Sequence, residues 1–277
     1  MSALPAKTPA AYCSGEAASD HPFRTQMLAG QLEVAGMTHQ GGRKENQDRF
    51  LIDPERQLLI VADGVGGLKE GGLAAELACQ SVHADLLAGL SLERAVSRSS
   101  AAIAKEATLR GVTGGMGSTI VAVQWSGSRF QLVWVGDSSA RSYWSDCCHR
   151  LTRDHSEAAE WATQGIHTES AAMAQPRKHV LTQALGVTTM GELRLGRNEG
   201  VLRHGEWLML ASDGVTNSLS PEEIAPCLDD AHSATAAAQS VMERTLEARP
   251  TDNATLILAR WLGPEGDVAD LPRVYPD

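Results

Sequence analysis

An α+β fold is the class that this 277-residue sequence predicts, on three observations. Short β-prone runs come in neighbouring pairs separated by turn residues, as antiparallel hairpins do. Helical patterns arrive in pairs between those runs and do not alternate with them, so a parallel sheet of βαβ units is not indicated. Four apolar runs abut an aspartate that sits beside Gly, Ser or Asn, at Asp63, Asp137, Asp213 and Asp252.

In chain order, residues 1–30 carry Pro5, Pro9 and Pro22 and no periodicity, so they are expected to form a flexible arm outside the core. Gln31 to Gly36 and Arg49 to Asp53 read as short strands, and the polar turn after Pro54 leads into the strand Leu58 to Ala62. Beyond a glycine-rich turn, Leu73 to Leu87 pairs Leu73 with Leu77 and Val82 with Leu86 at a spacing of four, which is a helical stripe. Ser91 is an N-cap for a second helix whose apolar face ends at Gly111. Thr119 to Gln124 and Arg129 to Val135 flank a Ser-Gly-Ser turn and predict a hairpin, continued by Ala140 to Trp144 and a short run before Leu151. Asp154 to Glu157 has the spacing of a capping box for a helix that stops at Gly165, and irregular chain is expected from there to Pro176. A further strand pair flanks Arg203-His-Gly-Glu206. Ser220-Pro-Glu-Glu223 is another capping box, with proline at the first helical position. A helix over about Thr235 to Glu247 and a last strand, Ala254 to Trp261, complete one domain over 31–262. Gly263 to Asp277, with three prolines, reads as a tail.

Composition narrows the function. The formal charge of −10 lacks the clustered Lys and Arg that phosphate backbones require, so no nucleic-acid partner is expected. The N-terminus has no apolar segment of a signal peptide, and no stretch reaches the roughly 18 to 20 apolar residues of a membrane span. The five cysteines, adjacent Cys147-Cys148 among them, have no zinc-finger spacing and read as reduced thiols of a cytoplasmic protein. The Gly111 to Thr119 loop lacks the Gly-Lys-Ser/Thr of a nucleotide-binding loop, and His155 reads as a packing or flap residue.

The carboxylates carry the chemistry. A single Asp-Gly after an apolar run is usually a turn. Four ionised aspartates converging on one cleft would repel one another unless cations neutralise them, and Mg²⁺ or Mn²⁺ accepts all-oxygen surroundings. Two such ions about 3.5 to 4 Å apart can share a water, lower its pKa and aim it at phosphorus. The reaction class is hydrolytic phosphoryl transfer.

Order and surroundings sharpen this reading. Gly42 to Asp48, Val61 to Gly67, Gly117 to Thr119, Val135 to Ser138, Leu151 to Ser156, Leu181 to Gly186, Ala211 to Gly214 and Asp252 to Thr255 together resemble the metal-dependent serine/threonine protein phosphatases of type 2C, of bacterial type. The resemblance spans about Val34 to Trp261. It implies a central antiparallel β-sandwich of two sheets flanked by helix pairs, with a flap over about 143–180 beside the cleft. It further implies that Asp63 bridges two Mg²⁺ or Mn²⁺ ions and that the Gly64 carbonyl completes one shell. Asp213 and Asp252 would hold the other ion, and Asp137 a third, weaker one. Arg43 would clamp the substrate phosphate, and Asp48 would order waters. Substrates would be phosphoserine and phosphothreonine proteins, opposite a cognate kinase, for an enzyme expected to be a monomer. Gln47 stands where the family has Glu, which lowers the expected metal affinity. Val65 stands where many eukaryotic members have a His general acid. Two alternatives follow: a catalytically weak relative that binds phosphoproteins, motivated by Gln47, and a metal phosphoesterase of small molecules.

Overall fold

The computed structural model describes residues 12–13, 23–24, 32–65, 70–145, 147–177, 179–189 and 191–264. Most of the expected arm, Gly66 and Gly67, and the tail beyond 264 lie outside the described residues. The strands are β1 (Tyr12–Cys13), β2 (Phe23–Arg24), β3 (Leu32–His39), β4 (Asp48–Asp53), β5 (Leu58–Asp63), β6 (Ile120–Ser126), β7 (Arg129–Val135), β8 (Ser139–Trp144), β9 (Cys147–Arg150), β10 (Gly196–Val201), β11 (Trp207–Ala211) and β12 (Ala254–Trp261). The helices are α1 (Gly71–Leu87), α2 (Leu92–Leu109), α3 (Glu157–Thr163), α4 (Glu169–Met173), α5 (Asp213–Thr216), α6 (Pro221–Asp229) and α7 (Ala234–Glu247). Among the described residues, no helix is long and apolar enough to cross a membrane.

Two antiparallel six-stranded sheets stack face to face, in the orders β1-β4-β5-β6-β7-β10 and β2-β3-β12-β11-β8-β9. The continuous apolar strands follow from this arrangement. A strand between a second sheet and a helix layer is buried on both faces, so period two is hidden under an unbroken apolar run. Along β5, Leu59 and Val61 enter the core between the sheets, while Leu58, Ile60 and Ala62 face the layer of α1 and α2. Along β11, Leu208 and Leu210 enter that core, while Trp207, Met209 and Ala211 face α6 and α7. The result is the helix–sheet–sheet–helix sandwich expected from the sequence.

Several details depart from the sequence reading. The strands beside Arg203 to Glu206 are not a hairpin: β10 pairs with β7 in the first sheet, and β11 pairs with β8 and β12 in the second. The turn carries the chain from one sheet to the other. The cap of α3 is Ser156, whose hydroxyl accepts from Ala159 N, because the Asp154 carboxylate is taken by Arg150. The stretch taken as irregular before Pro176 contains α4, capped by Thr168. The buried face of α1 is built from Ala74, Ala75, Ala78, Cys79 and Val82, with Leu73, Leu77 and Leu86 only partly covered. Small residues there let the helix approach the sheet. Within the arm, Tyr12 and Cys13 pair with Ile52 and Leu51, and Phe23 and Arg24 with Gly36 and Ala35, so two dipeptides extend the sheet edges.

Candidate metal centre

Each candidate aspartate owes its place to a strand end. Asp48 opens β4 and Asp63 closes β5, and antiparallel register sets the two opposite each other. Asp137 precedes β8, Asp213 follows β11, and Asp252 precedes β12. These ends come together around a cleft of about 810 Å³ lined by Arg43, Asp63, Gly64, Asp137, Asp213 and Asp252, with Thr119, Asn253, His179, Val180 and Leu181. Asp48 does not line the cleft; it is buried behind Asp63.

Backbone contacts explain the glycines. A Cβ on Gly64 would collide with the backbone of Gly71 at the start of α1, and one on Gly214 with the Asn253 carbonyl. Thr119 N–H donates to the Asp63 carbonyl at 2.8 Å, and Asp63 N–H donates to the Thr119 hydroxyl at 3.2 Å, so the end of β5 is held from both sides. Ser138 shares a 2.7 Å bond with the same Thr119 hydroxyl, which ties the Asp137 turn to β5.

Behind the cleft, the Ser212 hydroxyl donates to Asp48 Oδ2 at 2.7 Å and accepts from Thr255 N–H at 3.0 Å. Asn253 is a residue to which the sequence reading gave no role. Buried, it donates through Nδ2 to the carbonyls of Gln40 at 2.7 Å and Glu45 at 2.9 Å, and accepts at Oδ1 from Gln47 N–H at 2.9 Å. It thus fixes the loop that carries Arg43. The Arg43 guanidinium donates to Asp252 Oδ2 at 2.5 Å. His155 is a packing residue: its ring stacks on Trp134 at 6.2 Å, and its Nδ1 accepts from Gly136 N–H at 3.2 Å.

The electrostatics favour a cation. Burial, then the negative charges of Asp48, Asp213 and Asp137, push the Asp63 carboxyl well above the usual range. Asp213 rises to about 7 through burial and the charge of Asp252, and Asp137 to about 8 through burial and the charge of Asp213. Asp48 is raised chiefly by burial. Asp213 Oδ1 and Asp48 Oδ1 are buried oxygens without a hydrogen-bond partner. Hard oxygen donors, mutually repelling and partly unbonded, fit Mg²⁺ or Mn²⁺. Among the described residues no three His, Cys, Asp or Glu side chains are already gathered into a metal-holding group. Asp252 is instead paired with Arg43.

Several known proteins are similar to this chain. Residues 35–249 match the family model described as protein phosphatase 2C. A serine/threonine phosphatase stp of Listeria innocua is 29% identical over 228 residues, covering 79% of this chain and 87% of that one. The serine/threonine protein phosphatase PstP of Mycobacterium tuberculosis is 28% identical over 236 residues, covering 82% of this chain and 45% of that longer one. Among solved structures, the catalytic domain of PstP in complex with two manganese ions superposes with a TM-score of 0.72 at 26% identity, covering 84% of this chain and 99% of that one. The phosphatase MsPP of Mycobacterium smegmatis, in complex with cacodylate, gives 0.71 at 28% identity, covering 83% and 98%.

Proposed function

This chain belongs to the protein phosphatase 2C family, and from that premise we propose how its cleft performs the family's reaction. The protein is a serine/threonine protein phosphatase that uses Mg²⁺ or Mn²⁺ and acts on phosphoproteins. One observation carries the site assignment: Asp63, Asp137, Asp213 and Asp252, distant in sequence, line a single cleft with Arg43 at its rim.

Asp63 and the Gly64 carbonyl would hold one ion, Asp63 with Asp213 and Asp252 the other, and Asp137 a third. Bound ions of this kind supply charge neutralisation and a water acidic enough to attack phosphorus at neutral pH. Arg43, with half its side chain exposed, is free to turn from Asp252 to the substrate phosphate, whose oxygens its planar fork matches. Asp48, locked by Ser212, lies against the Asp63 carboxyl from behind, from where it would influence solvent only through that residue. Val65 lines the cleft without a proton to give, so the proton for the leaving alkoxide would come from solvent or from another group of the cleft.

The reading as a binding relative without turnover is not favoured, since the relatives are named phosphatases. Gln47 lines the cleft, and we infer that it changes metal affinity without abolishing turnover. Its main chain accepts from Gly64 N–H at 3.3 Å and donates to Asn253, and these two contacts do not depend on side-chain charge. We place the enzyme in the cytoplasm as a monomer opposing a Ser/Thr kinase, with residues 31–262 as its catalytic domain.

With Mn²⁺, the purified protein is expected to release phosphate from a phosphothreonine peptide, and EDTA to stop it. Faster turnover of sugar phosphates or nucleotides than of the peptide would replace this reading with that of a small-molecule phosphoesterase.

A further inference from the structure

A second cavity, of about 420 Å³, lies on the far face of the second sheet, between β8, β9 and the helix α6. Register builds its floor. Tyr143 pairs with both Cys148 and Trp207, and Trp207 with Arg260, so these side chains form one row across the sheet. Arg141 pairs with Arg150 in the next row. Like charges directly opposite on adjacent strands destabilise a sheet unless something answers them.

Arg150 is answered by Asp154. The other polar groups of the floor are not fully satisfied. Arg141 Nε, the Tyr143 hydroxyl and Arg260 Nε are buried and have no hydrogen-bond partner. Tyr143 is only 4% exposed, and its hydroxyl interacts with the Cys148 thiol and the Arg141 guanidinium, though not at full hydrogen-bond geometry. Burial, above all, raises its pKa, so the hydroxyl keeps its proton and can donate. Arg260 lies over the Trp207 ring at 5.1 Å, which fixes its guanidinium in place. Two acids, Glu222 and Asp229, stand on the helix wall. The Glu222 carboxylate is held by its own backbone N–H and by Ser220 at the start of α6, and only more weakly by the charge of Arg141.

Arg141, Tyr143 and Arg260 all line this one cavity, and each carries a buried donor without a full hydrogen bond, which leaves a demand for acceptor oxygens that a small rotation of these side chains would turn toward the cavity. We propose that this cavity is a second anion site, which takes a tetrahedral oxyanion through Arg141, Arg260 and the Tyr143 hydroxyl. The anion is either free phosphate or the phosphoryl group of a larger molecule, for which the rings of Trp144 and Trp207 would form the wall. The site is separate from the catalytic cleft and does not rest on the metal assignment.

The test is calorimetric titration of the full chain, kept in EDTA, with inorganic phosphate and with phenyl phosphate. EDTA removes metal-dependent binding at the catalytic cleft, and Arg43→Met reports any phosphate that still binds there. The wild type is expected to show one saturable site. Arg141→Met should weaken it about tenfold or more, since a charge-assisted bond is lost, and Tyr143→Phe by about threefold to tenfold. Arg43→Met should leave it within about twofold. Phenyl phosphate binding as tightly as phosphate assigns the site to an attached phosphoryl group; its exclusion assigns the site to the free anion. Absence of saturable binding, or binding lost in Arg43→Met and kept in Arg141→Met, would overturn the proposal and leave a water-filled cavity. A circular dichroism melt checks that each variant folds. If Arg141→Met does not fold, Tyr143→Phe, which removes one oxygen, decides alone.

Discussion

Replacing Asn253 with aspartate changes one atom's identity and should cost the fold more than its size suggests. The Asn253 amide makes three hydrogen bonds, to the Gln40 and Glu45 carbonyls and from Gln47 N–H, all at 2.7 to 2.9 Å. In Asn253→Asp the bond from Gln47 survives, but both donors vanish and a buried carboxylate faces two carbonyl oxygens. Each lost bond is worth about 1 kcal/mol, and each buried carbonyl left without its donor adds a desolvation cost, so a loss of about 3 kcal/mol is expected. For a domain of this size that lowers Tm by about 6 to 12 °C. Asn253→Ala, which leaves no charge behind, should lose less. The readout is differential scanning calorimetry in EDTA, which removes any contribution from metal binding. Because the loop also carries Arg43, kcat/KM for a phosphopeptide should fall in the same variant. A metal-free Tm within a degree of the wild type would refute the view that this side chain is the clamp of the loop.

Two further outcomes follow from the same geometry. Arg43→Lys should keep the fold but lower kcat/KM about 10-fold to 100-fold, because an ammonium makes one contact where the guanidinium fork makes two; steady-state kinetics that match the wild type would contradict the clamp. His155 is held neutral, its pKa lowered from 6.5 to about 4 chiefly by burial. A base with a depressed folded pKa contributes stability above its unfolded pKa and loses it as pH falls toward the folded value, so up to about 2 kcal/mol should disappear between pH 7.5 and pH 5. His155→Gln should show a shallower fall in Tm over that interval, and parallel curves for the two proteins would show that the imidazole is not the titrating group.

The legible parts of the fold are those where local chemistry decides. Strands β5, β11 and β12 were readable because burial on both faces demands unbroken apolar runs, and Ser220 with Glu223 forms the capping box that its spacing announces. Pairing across the sandwich is a tertiary matter, so nothing near Arg203 told that β10 and β11 belong to different sheets. Asp154 and Ser156 both have capping chemistry, and the choice between them came from Arg150 on a neighbouring strand.

In the candidate site, the aspartates stood out because a carboxylate at a strand end beside glycine is a repeated local pattern. Asn253 did not, since Gln40, Glu45 and Gln47 lie more than two hundred residues away and no periodicity links them. Ser212 was hidden for the same reason, its partner Asp48 being 164 residues distant. His179, Val180 and Leu181 reach the cleft only through the path of the flap.

Manganese titration of the wild type and of Asp63→Asn, followed by calorimetry and by phosphopeptide turnover in the same samples, decides whether the clustered aspartates hold catalytic ions. At least two Mn²⁺ are expected per wild-type chain, and in the variant a loss of tight binding together with a loss of turnover. Undiminished turnover in Asp63→Asn, or two ions bound with wild-type affinity, would contradict it.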